Sequence, residues 1–241
     1  MTEPPLRRRV AADIARLRET AAPVVVHGGG PFIADALAKA QLKSAFVRGL
    51  RVTDDASLPV IEGALTQLGK ILAQEIGGAV GLTGRDAALL VAEPLDAALG
   101  HVGEVTGVNR EVLLKLLGVP LTPVIACVAS RQGRTDMLNV NADSVAGAVA
   151  GALLAPVIFL SNIPGVLDEP QDPGSLLSQL SAEEIEARIA DGRIAGGMIP
   201  KVEAALSALR AGASFAVIAD GRAPGTLPRA LEGSVGTRVF T

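Results

Sequence analysis

Apolar residues recur at helical spacing through residues 6–19, where Val10, Ile14 and Leu17 share a face with arginines between them. The same period returns over 57–74 in Val60, Ile61, Leu65, Leu68, Ile71 and Leu72. Between these segments the pattern changes to the β-branched run Val24-Val25-Val26, which predicts a buried strand over 23–27. Further strands are predicted at 79–82, 88–92, 123–128, 157–160, 214–219 and 236–240, with hairpin character over 101–106. Helices are predicted at 31–41, 109–117, 144–154 and 226–231. Another starts at the capping-box pattern Ser181-Ala182-Glu183-Glu184, and another carries Val202, Leu206 and Leu209 on one face. Strands that alternate with helices predict an α/β fold with a mainly parallel sheet. A soft boundary near Ala155-Pro156 separates a lobe of residues 1–155 from one of residues 156–241.

Composition narrows the classes. The 241 residues are 49% hydrophobic but only 2% aromatic, so the core is built from Leu, Val, Ile and Ala, which suits helices on a parallel sheet. A net charge of −3 gives no electrostatic footprint for nucleic acid, and stacking aromatics are scarce. The single cysteine, Cys127, lies in an apolar run and reads as a buried structural thiol. The uncharged run Ser144–Leu167 is long enough to span a bilayer, but it is rich in Ala and Gly and is interrupted by Pro156, Ser161, Asn162 and Pro164. No secretory signal precedes the first helix. A cytoplasmic protein with no membrane or nucleic-acid partner is expected.

Candidate chemistry begins where Val24-Val25-Val26 runs into His27-Gly28-Gly29-Gly30-Pro31. A strand, a glycine loop and a helix start aim backbone N–H groups at one point, where an anion can approach because no Cβ intervenes. The alternative is a tight turn with positive φ. A second glycine loop, Gly196-Gly197-Met198-Ile199-Pro200-Lys201, also opens a helix. Lys201 there opposes the helix dipole, a placement that suits a lysine pointing at bound phosphate as well as one in solvent. Asp143 stands just inside an apolar helix start, where it either caps the helix or serves the site. Asn139 and Asn141 alternate on an extended segment and so face one side.

The order His27-Gly28-Gly29-Gly30-Pro31, Gly49-Leu50-Arg51-Val52-Thr53, Asn139-Val140-Asn141-Ala142-Asp143 and Gly196-Gly197-Met198-Ile199-Pro200-Lys201 resembles the acetylglutamate kinases of the amino-acid kinase family. The resemblance runs from about residue 7 to the end and includes Gly81-Leu82-Thr83-Gly84-Arg85-Asp86 and Gly236-Thr237. It implies a three-layer sandwich whose N-terminal lobe binds the amino-acid substrate and whose C-terminal lobe binds the nucleotide. The implied reaction is ATP-dependent phosphorylation of the side-chain carboxylate of N-acetyl-L-glutamate, with Mg²⁺ on the phosphates, in arginine biosynthesis. By the same resemblance Gly29 and Gly30 meet the side chain and the phosphoryl group, while Arg51, Asn139 and Asn141 bind substrate. Asn162, Ile163, Gly165, Val166, Leu167, Arg193, Ile194, Ala195 and Gly196 form the nucleotide loops. Lys201 neutralises phosphate charge and Asp143 orients the catalytic lysines. No residue is assigned to a metal, His27 and His101 are structural, and a homodimer is implied.

Departures from the family pattern keep two alternatives open. The family begins with a strand carrying Lys-x-Gly-Gly, whereas this sequence has no lysine before Lys39, so the first strand is expected to be truncated. That favours a catalytically impaired, ligand-binding relative. The other alternative is the related kinase of carrier-linked aminoadipate in lysine biosynthesis. Ser161-Asn162 replaces the usual Thr-Asp or Ser-Asp, and Gly69-Lys70 replaces Asn-Lys.

Overall fold

A computed structural model of the chain describes residues 3–169 and 171–241. It divides into two compact units, Met1–Val145 and Ala146–Thr241. The division falls inside a helix, just before the proline boundary at Ala155-Pro156.

In the first unit, α1 (Pro4–Leu17) starts at a proline pair, which suits a helix end with no N–H to satisfy, and buries Val10, Ala11 and Ile14. Strand β1 (Val25–His27) leads into α2 (Gly30–Lys39), which buries Ile33 and Leu37. A two-residue hairpin, β2 (Phe46–Val47) and β3 (Leu50–Arg51), precedes the 20-residue α3 (Ser57–Ile76). Helix α3 buries Ile61, Leu65, Leu68, Leu72 and Ile76 along one stripe. Then come β4 (Ala79–Thr83), β5 (Leu90–Pro94), β6 (Val102–Val108), α4 (Arg110–Gly118), β7 (Thr122–Ala126), β8 (Val128–Arg131), β9 (Met137–Val140) and α5 (Ala142–Leu153). Strands β1, β7 and β4 form a parallel sheet in that order, with Val25 opposite Val124 and Thr83 opposite Ala126. All five residues of the central β7 are buried, as a strand covered on both faces requires.

Strands β5, β6, β9 and β8 close into a small barrel in which β5–β6 and β8–β9 are antiparallel and the other two pairings are parallel. The predicted start of β5 at residue 88 is corrected to Leu90. Ala87 and Ala88 take positive φ of 52° and 49°. The Asp86 carboxylate holds this turn by accepting from Thr83 N at 2.7 Å and Thr83 Oγ1 at 3.0 Å.

The second unit contains β10 (Val157–Ser161), β11 (Gln179–Ser181), α6 (Ala182–Ala190), α7 (Ile199–Arg210), β12 (Ala216–Asp220), α8 (Thr226–Glu232) and β13 (Thr237–Phe240). Its sheet has the order β10-β12-β13-β11, parallel except between β12 and β13. The capping box at Ser181 is present in full, with Glu184 N donating to Ser181 Oγ and Ser181 N to Glu184. Val157, Phe159, Ile185, Val202, Leu206 and Ile218 belong to this unit's core. The α/β class and the parallel pairing agree with the sequence pattern. The barrel, the β2–β3 hairpin and β11 are additions to it.

One buried contact fixes how α3 lies on the sheet. His27 is 4% exposed, and its Nε2 has no partner. A Cβ on Gly69 of α3 would lie 2.9 Å from that nitrogen, and one on Gly81 of β4 would lie 2.9 Å from the Gly69 carbonyl. Glycine at 69 therefore has a packing reason. Burial pushes the His27 imidazole below its ordinary value, opposed by the Gly28 carbonyl 3.1 Å from Nδ1. The native ring stays neutral where an unfolded histidine takes a proton, so stability is full above about pH 6.5. It falls as the pH drops through that value, by up to about 1.4 kcal/mol per pH unit. Urea titrations between pH 7.5 and 5.5 should show this loss in the native chain and a shallower slope in His27→Met. Equal slopes would refute the assignment.

Candidate functional site

Of the substrate residues expected in the first unit, Arg51 and Gly30 are in direct contact. The Arg51 backbone lies in β3, paired with Phe46 of β2, and its side chain folds back so that Nη2 donates to Gly30 O at 3.1 Å. Nη1 donates to Ser44 Oγ, and the guanidinium stacks 4.6 Å from the centroid of Phe46. Arg51 is 8% exposed, and no carboxylate pairs with it among the described residues. Desolvation lowers its pKa from the ordinary arginine value. A buried cation held by neutral groups favours the arrival of an anion, and the planar fork matches a carboxylate.

The three glycines at the end of β1 have different surroundings. None has positive φ, so the tight-turn alternative does not account for them. A Cβ on Gly28 would lie 3.3 Å from Ala142 Cβ, and one on Gly29 would lie 2.9 Å from Leu65 Cδ2. A Cβ on Gly30 would meet nothing within 4 Å. Gly29 caps α2 without a side chain, which leaves the first N–H groups of that helix for another acceptor.

Asn139 lies in β9 and its Nδ2 donates to Thr53 Oγ1 at 3.1 Å. Asn141 is the residue that caps α5: its Oδ1 accepts from Asp143 N at 2.8 Å and Ser144 N at 3.1 Å. The helix therefore begins at Ala142, two residues before the predicted start, and the capping alternative for Asp143 is replaced by Asn141. Asp143 presents a half-buried carboxylate in the first turn. Cys127 donates from Sγ to His27 O at 3.1 Å, and burial pushes its thiol far up, with a smaller contribution from Asp143. It is an inert structural thiol, as the apolar run suggested.

In the second unit the loop after β10 is tightly built. Ile163 N donates to Ser161 Oγ at 3.1 Å, Asn162 is exposed, and Leu167 bridges Leu176. Gly165 has φ +151°, and a Cβ there would lie 2.5 Å from Thr237 Oγ1. The same Oγ1 accepts from Val166 N at 2.8 Å and donates to Leu177 O at 2.6 Å. Gly165 and Val166 are thus buried in the loop's own packing, and Thr237, which no residue-level reading singled out, pins them.

Arg193 is exposed and already faces Asp191, with Nε 2.8 Å from Oδ2, and Asp168 at 3.9 Å; these raise its pKa. Asp168 also pairs with Arg188. Ile194 is buried and Ala195 leads into the 3₁₀ turn Gly196–Met198. Gly196 has φ +57°, and a Cβ on Gly196 or Gly197 would meet nothing within 4 Å. This open turn runs directly into α7. Lys201 sits half-buried in the first turn, and no carboxylate pairs with it among the described residues.

A cavity of about 520 Å³ is lined by residues of the first unit that include Lys70, Thr83, Arg85 and Arg134. None of the expected site residues lines it. Among the described residues no group of three or more His, Cys, Asp or Glu is placed to hold a metal ion, and no helix is long and apolar enough to cross a membrane.

The model of the amino acid kinase family matches residues 1–220. The chain is 53% identical over 234 residues to the acetylglutamate kinase of Deinococcus radiodurans, covering 97% of this chain and 94% of that protein. Among solved structures it is similar to smu.665 from Streptococcus mutans, at 30% identity and a TM-score of 0.79, covering 95% and 91% of the two chains. It also shares the fold of a carbamate kinase from Giardia lamblia, at 16% identity and a TM-score of 0.72, covering 97% and 88%.

The glycine surroundings separate packing from ligand access. Gly165→Ala forces a Cβ onto Thr237 at a φ that favours glycine, and should cost about 2 kcal/mol. Gly30→Ala fills open space at a helix start and should change stability by less than about 0.5 kcal/mol. Urea denaturation of both variants measures the contrast, and similar losses in the two would contradict it.

Proposed function

The chain belongs to the amino acid kinase family, and from that premise we propose that it transfers the γ-phosphoryl group of ATP to the side-chain carboxylate of N-acetyl-L-glutamate. The product is an acyl phosphate, a step of arginine biosynthesis. The observation that carries the substrate reading is Arg51: a buried guanidinium with hydroxyl, carbonyl and aromatic neighbours and no carboxylate partner among the described residues. An N-acetylated amino acid offers the missing anion in its α-carboxylate. Asn139 and Asn141 contribute amide groups from the neighbouring strand end and helix cap.

The chemistry asks little of acid–base groups. The attacking side-chain carboxylate has a reference pKa of about 4.3 and is ionised at neutral pH, so no general base is required. Its oxygen attacks the γ-phosphorus, the bond to the β-γ bridging oxygen breaks, and ADP leaves with that electron pair. What remains for the protein is positioning and charge neutralisation. Gly30 leaves room for the phosphoryl group beside the N–H groups that begin α2. Lys201 and the open turn Gly196-Gly197 provide a cation and backbone donors for the nucleotide phosphates. Asn162 and the loop through Leu167, with Arg193 to Gly196, complete the nucleotide side. Arg193, already paired with Asp191, contributes shape more than free charge. Asp143, by the family resemblance, orients the catalytic cations. Mg²⁺ would arrive with the nucleotide as part of that substrate and would add charge neutralisation at its phosphates.

In this reading the first unit carries the acceptor and the second the nucleotide, and the protein works in the cytoplasm as a homodimer. The test is to incubate the chain with MgATP and N-acetyl-L-glutamate and to trap the acyl phosphate with hydroxylamine. Hydroxamate should form, and its absence at millimolar substrate would sink the reading. Lys201→Met should lower kcat by about 10²-fold while the acetylglutamate KM changes little. Arg51→Lys, which replaces a fork with a point charge, should raise the acetylglutamate KM more than the ATP KM. An unchanged kcat in the first variant, or equal KM effects in the second, would refute these placements.

A further inference from the structure

Arg51 and Asn139 come from segments far apart in sequence, yet one hydroxyl joins them. Thr53 is fully buried. Its Oγ1 donates to Arg51 O at 3.0 Å and accepts from Asn139 Nδ2 at 3.1 Å. A threonine hydroxyl has one proton to give, and here it goes to the carbonyl of the very residue whose guanidinium is aimed at the substrate. The amide it receives belongs to the second expected substrate ligand.

The Thr53 backbone is fixed just as closely. Thr53 N donates to Leu99 O at 2.9 Å, and His101 N donates to Thr53 O at 2.7 Å. Asn139 N in turn donates to His101 O at 2.9 Å. Gly100 lies between the two contacts at φ +68°, and a Cβ there would collide with the Thr53 carbonyl. Three stretches of chain, 51–53, 99–101 and 139, are therefore tied together at Thr53 by both backbone and side chain.

We infer that Thr53 is the positioning residue of the acceptor site, setting the rotamer of Asn139 and the backbone of Arg51 without touching the substrate itself. The inference rests on the reading of Arg51 and Asn139 as ligands of N-acetyl-L-glutamate. With Nδ2 held by Thr53, the Asn139 side chain cannot rotate freely, and its Oδ1 and second N–H keep fixed directions. Removing the hydroxyl frees that rotation and leaves an amide proton and a carbonyl without their partner. The loss falls on acceptor binding and leaves the nucleotide loops unaffected.

Thr53→Val keeps the branched shape and deletes only the hydroxyl. It should raise the acetylglutamate KM about 10-fold and leave the ATP KM within about twofold. Thr53→Ser, which restores the hydroxyl, should return the acetylglutamate KM to near the native value. Asn139→Ala combined with Thr53→Val should be little worse than Asn139→Ala alone, because the two act on one interaction. An unchanged acetylglutamate KM in Thr53→Val, an equal rise in both KM values, or no rescue by serine would overturn the inference. A substrate-free measurement separates this from the functional reading. In ¹⁵N spectra of the unliganded protein the Asn139 side-chain amide should shift in Thr53→Val and keep its position in Thr53→Ser. A native chain that forms no hydroxamate refutes the acetylglutamate reading. An Asn139 amide signal unmoved by Thr53→Val refutes the positioning role, whatever the substrate.

Discussion

A guanidinium buried without a counter-charge is the constraint around which the acceptor half is arranged. Taking Arg51 out of water costs several kcal/mol if nothing compensates. The compensation in the protein is partial: the Gly30 carbonyl, the Ser44 hydroxyl and the face of Phe46. Each of these ties a different segment to the cation. Gly30 brings the start of α2, Ser44 the connection after it, and Phe46 the opposite strand of the hairpin. The helix start after β1 therefore lies against the same guanidinium, and in the proposed function a substrate carboxylate would complete the electrostatic balance that these neutral groups leave open.

Several other arginines are tied to carboxylates. Arg7 reaches Glu75 with two bonds of 2.8 Å and fastens α1 to α3. Arg85 meets Glu62 at 2.6 Å, and Arg222 meets Asp220 through Nε and Nη2. Arg188 and Arg193 share Asp168. In each case the charge is answered within the protein. Arg18 and Arg238 are held by backbone carbonyls, with Phe215 stacked on Arg238. Arg51 resembles these in having no carboxylate partner among the described residues, but it is more deeply buried and lies beside the glycine loop through Gly30. Lys201 stands in the first turn of α7, where the helix dipole disfavours a cation. That disadvantage is offset when the neighbouring N–H groups and the ammonium share one anion.

Much of this was readable before the structure. The long helices follow from a 3.6-residue period, and the parallel strands from β-branched runs bounded by glycine and proline. Lys201 stands out because a lysine in the first turn of a helix opposes its dipole, and Asn139 because it alternates with Asn141 on an extended segment, whereas Arg51 is marked only by the family resemblance. The small barrel was not readable. Its strands are four to seven residues long, and the turn into β5 uses two alanines at positive φ, which no composition rule marks. The β2–β3 hairpin is two residues a side and exposes Phe46, so it carries no apolar period. Thr53 and Thr237 were silent for a different reason. Both stand inside quoted motifs, but a threonine there looks like any β-branched residue until the atoms that its hydroxyl meets are known.

The glycine loop shows why a motif can be right and its obvious explanation wrong. Glycine is commonly needed for positive φ, and three in a row invite that account. Here none of the three uses it. Gly28 is restricted by Ala142 and Gly29 by Leu65 of α3, both constraints of packing inside the first unit. Gly30 alone faces open space, and its carbonyl accepts from Arg51. The two packed glycines let the chain pass close beneath α3 and α5, and that close passage places the third at a bare helix start. The first two positions shape the loop and the third stays open, so the anion binding proposed for this loop would belong to the arrangement of all three and not to glycine as a residue type.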